Sequence, residues 1–390
     1  MAMSAPLTSE SLSVAYNGLE EIKDGPPASW YFDPKHHELE LARIWRTTWI
    51  YVARSSEVGE RRAYLNFSLG DQRILLVRDD EGTLRGFHNT CRHRGAELCS
   101  ERRGVMRTPT LVCPYHAWVY SLRGELLRTS SRSIPAGFSE RDHGLYPVRV
   151  REWRGFIFVS LAEDPPTLEE SFDFKMSRLE RWPLEELVVA HVDAKTIDCN
   201  WKVFWENFSE CLHCPGIHPT LCQLVPLFGR GYIRERDDPN WMTHADDPNP
   251  LYRGGLRAGA ESWSTDGRSS GPVFPGLSPE DRKLGQVYLT SLPSAFIAAH
   301  VDYVRTVRLL PVAPERMELR VEYLFAPAAL ASEGFDVRKV VDFADQVLSE
   351  DARACEINQR GLHALAHRTG VLMPEEYMVY AFHQWIRARL

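Results

Sequence analysis

The sequence has 390 residues and a formal net charge of -7, with 44% hydrophobic and 25% charged residues, the composition of a globular chain long enough for more than one core. No basic block stands out among its 46 Lys and Arg, so no nucleic-acid partner is expected. No apolar run reaches the roughly 18 residues that a membrane span needs.

The polar opening, up to about Pro27, reads as a tail able to lie over a neighbouring subunit. It lacks the basic start and apolar core of a signal peptide, so a cytoplasmic protein is expected. Asp33-Pro34 can start a helix whose apolar face carries Leu41, Ile44, Trp45 and Trp49. From Tyr64 to Leu161, short apolar runs alternate with turns such as Gly70-Asp71 and Arg123-Gly124, the pattern of strands and hairpins. In this zone stand Cys91-x-His93 and, after a gap of nineteen residues, Cys113-x-x-His116. Zinc fingers usually pair Cys with Cys and His with His, whereas each short pair here mixes the two. That suits a Rieske [2Fe-2S] cluster, where one iron takes two Cys and the other two His; a plain zinc site is the competing reading. The other cysteines (Cys99, Cys199, Cys211, Cys214, Cys222, Cys355) show no disulfide framework.

Pro165-Pro166-Thr167 marks a boundary. Beyond it the patterning predicts a helix near 168–181, a strand near 188–197 and a helix from about Asn200. Loops around a pocket follow over about 222–285, then antiparallel strands at 294–301, 303–311 and 316–325, and a long helix over about 337–365. On the helix from Asn200, Glu206, Glu210 and His213 fall at i, i+4 and i+7 and share one face. Pro215-Gly216 should end that helix, so that His218 turns back toward His213. Two imidazoles and one carboxylate would make a facial triad that binds Fe(II) with open positions for oxygen and substrate. Asp351 is the leading third ligand, with Glu350, Asp345, Asp342 and Glu356 on or near the same helix. Taken alone, two His five apart more often lie on a solvated helix face. Trp241, Tyr252, Trp263, Phe274, Phe296, His300 and Tyr303 are candidate pocket aromatics, able to hold a quaternary ammonium group by cation–π attraction or simply to pack a core.

The segments Asn89-x-Cys91-x-His93-Arg94-Gly95 and Cys113-Pro114-Tyr115-His116-Ala117-Trp118 resemble the signature of the Rieske non-haem iron oxygenases, with Ala117 where Gly is usual. Asn200-Trp201-Lys202 through His218 resembles the same family's catalytic motif. The resemblance implies an α+β catalytic subunit in which an all-β Rieske domain (50–162) precedes a catalytic domain (163–390). The latter has an antiparallel sheet flanked by helices, of helix-grip, START-like form, on which residues 1–49 pack. It implies Cys91 and Cys113 on one iron of the cluster, His93 and His116 on the other, and a mononuclear Fe(II) on His213, His218 and Asp351. Glu210 is implied to bridge His213 to the cluster His of an adjacent subunit, His116, in a homotrimer or hexamer.

The segment Glu210-Cys211-Leu212-His213-Cys214 is similar to the carnitine monooxygenase subgroup. His300-Val301-Asp302-Tyr303-Val304 and Cys355-Glu356-Ile357-Asn358-Gln359-Arg360-Gly361-Leu362 look like the glycine betaine and choline branch. O2, a small-molecule substrate and a flavin and iron–sulfur NAD(P)H-dependent reductase are the expected partners. The expected reaction is hydroxylation of an N-methyl carbon with loss of formaldehyde, with ring hydroxylation of an aromatic acid as the alternative. A protein that only relays electrons would need no second iron site.

Overall fold

The computed structural model of the protein describes residues 16–390. The tail expected over residues 1–15 lies outside the described residues, and the strand Lys23–Pro27, also expected in the tail, pairs antiparallel with Thr369–Leu372. Asp33 caps the helix Pro34–Glu40 by accepting from the Lys35 N–H, and the helix runs on as one wide turn, Leu41–Trp45. Trp49 falls outside that face. It packs with Tyr51, Phe156 and Phe158, and its indole donates to the Pro166 carbonyl at 2.7 Å.

Seven antiparallel strands then form one sheet in the order 50–54, 156–160, 147–153, 84–88, 72–78, 63–69 and 103–105. Alternation in Ala63–Leu69 buries every second side chain, as a half-covered strand should. Ile50–Arg54 and Phe156–Ser160 are buried throughout, because the second sheet covers their other face. The Tyr51 hydroxyl donates to Glu322 at 2.6 Å across that contact. A small sheet of 110–112, 119–121 and 126–128 carries the second Cys–His pair in its first turn.

The second sheet is antiparallel in the order 188–197, 316–325, 303–313, 295–300 and 286–291. The long helix Arg338–Leu362 and the helices Trp201–Phe208 and Tyr377–Arg387 pack on one face of it. Two expected helices differ. The 168–181 stretch breaks into Leu168–Ser171 and the single turn Met176–Leu179, because Asp173 and Phe174 adopt left-handed backbone with φ of 52° and 54°. The helix begun by Asn200 stops at Phe208, short of Glu210 and His213. The Ser209 hydroxyl takes the Trp205 carbonyl at 2.6 Å, and in a continuous helix the Pro215 ring would strike the carbonyl four residues back. Pro215 instead opens the short helix Cys214–Ile217, in the first turn where Pro is favoured. Val301 and Asp302 form the tight turn between the strands Ala295–His300 and Tyr303–Ala313.

Candidate metal centres

Cys91 and Cys113 are 2% and 3% exposed in a core with Leu75, Val77, Phe87 and Tyr120. The Tyr120 hydroxyl lies 3.1 Å from the Cys91 sulfur and accepts from the Arg92 N–H. Asn89 organises the loop: its Oδ1 accepts from the Leu98 and Cys99 N–H groups, and its Nδ2 donates to the Cys99 carbonyl. His93 and His116 stand on the outer side, edge to face at 4.7 Å, with His93 stacked on Trp118 and His116 against Tyr115.

The second centre forms where the turn after Trp201–Phe208 meets the long helix. His213 holds Glu210 through Nδ1, and its Nε2 is 3.5 Å from Asp351 Oδ1. His218 holds Glu350 through Nδ1 at 2.7 Å, and its Nε2 is 2.9 Å from the same Asp351 oxygen. A carboxylate on each Nδ1 thus turns both Nε2 atoms inward toward one oxygen. Glu350 and Asp351 separate by direction: Asp351 faces both inner nitrogens and Glu350 grips the back of one ring. The other acids are engaged elsewhere, Asp345 with Lys195, Asp342 with Arg338 and Glu356 with the Asp198 N–H. Burial alone would lower the His213 pKa, but the hydrogen bonds to Asp351 and Glu210 lift it to about 9. The same histidines hold the Asp351 carboxyl below its usual range despite its burial.

The Cys214 sulfur also clusters with the two imidazoles, but it is bonded to Cys211 and offers no thiolate. This disulfide corrects the expectation of none; a three-residue spacing closed across one turn is not a framework that cysteine spacing along the chain reveals. Glu206 turns away from the centre and accepts from the Tyr31 hydroxyl at 2.6 Å and His383 Nε2 at 2.8 Å.

Family models match in two places: the Rieske [2Fe-2S] domain over residues 48–135, and the ring-hydroxylating alpha subunit, catalytic domain, over 173–390. The glycine betaine monooxygenase oxygenase subunit of Chromohalobacter salexigens is 30% identical, over 88% of this chain and 80% of its own. The chain belongs to the Rieske non-haem iron oxygenases. The oxygenase is also 29% identical to the chloroplastic choline monooxygenase of Beta vulgaris, over 94% of this chain and 77% of that one. In fold it is similar to CntA, a quaternary ammonium Rieske monooxygenase (TM-score 0.71, 20% identity, 95% and 96% of the two chains). Naphthalene 1,2-dioxygenase from Rhodococcus sp. shares that fold (TM-score 0.70, 20% identity, 94% of each chain).

The oxygenase is an oxidoreductase whose cofactors are a Rieske [2Fe-2S] cluster and a mononuclear iron, and it works on a small molecule and O2 with a reductase. Its donor sets fit both groups: buried thiols behind outward imidazoles at one, and two inward Nε2 atoms about one carboxylate oxygen at the other. No helix is long and apolar enough to cross a membrane among the described residues. A cavity of about 710 Å³ opens on His213, His218 and Asp351. Of the seven aromatics expected around it, only Trp263 and Phe296 line it. Phe274, His300 and Tyr303 are buried in packing, and Tyr252 stacks on His244 at 3.9 Å. The wall is instead Phe204, Trp205, Phe208, Phe228, Tyr288 and Phe343, with the buried Arg305. Phe208 and Tyr288 were legible only as apolar positions: sheet register decides which face Tyr288 takes, and the end of the helix Trp201–Phe208 decides where Phe208 points.

Proposed function

We propose that the oxygenase hydroxylates an N-methyl carbon of a quaternary ammonium or betaine-like substrate. The hydroxymethyl product then sheds formaldehyde and a proton to leave a tertiary amine. One O2, two protons and two electrons from the reductase are consumed; one oxygen atom enters the methyl C–H bond and the other leaves as water. The observation that carries this reading is the aromatic corner beside the second centre, where Phe208 stacks on Phe296 at 4.3 Å and meets the Tyr288 edge at 5.6 Å. Such faces attract an alkylated cation that has no N–H to donate. The names of the relatives point the same way.

In this reading residues 50–162 carry the cluster on Cys91, Cys113, His93 and His116. Residues 163–390 carry the mononuclear iron on His213, His218 and Asp351, and residues 16–49 pack on them. When bound, the iron supplies oxygen activation and the cluster single-electron storage. The chain supplies orientation: Glu210 and Glu350 fix the two imidazoles, and the apolar wall excludes water. Glu210 also reaches His116 of a neighbouring copy in a homotrimer or hexamer. The reductase is a flavin and iron–sulfur NAD(P)H-dependent protein of the same cytoplasm.

Turnover of glycine betaine, carnitine, choline and benzoate with a reductase tests the reading, with formaldehyde as the readout. Formaldehyde in step with O2 consumption is expected from a betaine. A hydroxylated ring from benzoate with no formaldehyde from any ammonium compound would replace N-methyl chemistry with ring hydroxylation.

A further inference from the structure

Of the cationic side chains that line the cavity without holding metal, Arg305 is the buried one; Lys175, Arg178, Arg234 and Arg389 are more exposed. Arg305 lies on the inner face of strand Tyr303–Ala313, 7% exposed, between Ala298 and Tyr323 on the flanking strands. Tyr288 continues the same row beyond Ala298, and Arg305, Tyr288, Phe208 and Phe296 line one cavity. The Tyr288 phenol is within electrostatic reach of Arg305, whose Nε has no partner among the described residues. Among the described residues no carboxylate stands within ion-pair distance of it. Asp351 is the acid in electrostatic reach, and its charge is committed to the two histidines.

A buried cation without a counter-ion is costly, and more so in a cavity meant for a second cation. The cost vanishes when the ligand brings its own anion. We propose that Arg305 anchors a carboxylate of the substrate, so that the cavity selects a zwitterion: ammonium against Phe208, Phe296 and Tyr288, carboxylate on the Arg305 fork. A planar guanidinium matches a carboxylate through two parallel N–H bonds. An ammonium alcohol or ester would leave that charge unpaired and meet it as a like charge, which is discrimination by repulsion as well as attraction. This assignment rests on the quaternary ammonium reading for the ammonium half only; the anion half stands on Arg305 alone.

The test is anaerobic calorimetry on the iron-loaded protein with glycine betaine, its methyl ester and benzoate, in wild type and in Arg305→Gln. Wild type should prefer the betaine to its ester. The variant should lose on the order of a hundredfold in betaine affinity while the ester changes by less than about threefold, with iron content and cluster spectrum kept. Equal weakening of betaine and ester would make Arg305 structural and overturn the proposal, as would no change in either. An ester that binds wild type as tightly as the betaine overturns it without any variant, so a misfolded Arg305→Gln does not protect it. If neither ammonium ligand binds wild type, the proposed function fails and benzoate decides the anion half. Loss of benzoate binding in Arg305→Gln then supports the anchor; unchanged or absent benzoate binding refutes it.

Discussion

Asp351 and Glu350 are neighbours on one helix and differ in direction by about 100°, which is why spacing along the chain could not choose between them. The choice comes from what each meets: both inward nitrogens for Asp351, the outer nitrogen of His218 for Glu350. Asp351→Ala is therefore expected to lower the metal content from about three irons per chain to about two, with an unchanged cluster spectrum. Glu350→Gln should keep the third iron but hold it about 10–100-fold more weakly. Full iron in Asp351→Ala by elemental analysis would move the ligand elsewhere. A second residue carries a cost visible in its backbone. Ala117, at a position where Gly is usual, has φ of 52°, in the left-handed region that a Cβ disfavours. Ala117→Gly should raise the denaturation free energy by about 0.5–1 kcal/mol, the relieved strain outweighing the added freedom of the unfolded chain. A lower denaturation midpoint would show that the turn gains from its methyl group.

Elements were legible where one pattern ruled them. The strand Arg316–Phe325 stands as expected, and the long helix expected over about 337–365 runs from Arg338 to Leu362. The catalytic helix was read too long because periodicity does not register the Ser209 hydroxyl competing for a carbonyl. Its start, by contrast, is over-determined. Asn200 caps it, and Trp201 and Lys202 both reach Glu40 on Pro34–Glu40, at 2.7 and 2.6 Å, with neither member of the ion pair exposed. Burial pushes the Lys202 ammonium pKa down, and Glu40 only partly restores it. Removing one partner leaves the other charge buried and alone. Lys202→Met is expected to cost about 3–5 kcal/mol, most of it recovered in the double variant with Glu40→Leu. A single-variant loss below about 1 kcal/mol in urea would mean that water reaches the pair.

At the scale of the whole molecule, the two centres lie in separate parts of the chain. Among the described residues no hydrogen bond or ion pair joins the loops bearing Cys91 to His116 with Glu210 or His213. His116 is partly exposed and its ring has no hydrogen bond among the described residues, while Glu210 grips His213 through Nδ1, on the side away from Asp351. If Glu210 meets His116 of a neighbouring copy, as proposed, damage to the two residues must complement between chains. Glu210→Ala and His116→Ala are each expected to be inactive alone, the first with both metals retained. Co-expressed, some mixed oligomers place the intact cluster ligands of the Glu210→Ala copy against the intact Glu210 of the His116→Ala copy. A measurable fraction of wild-type formaldehyde release should return in them. Transfer confined to one chain predicts none, because no chain then holds both residues, so inactive mixed oligomers of verified composition would sink the bridge.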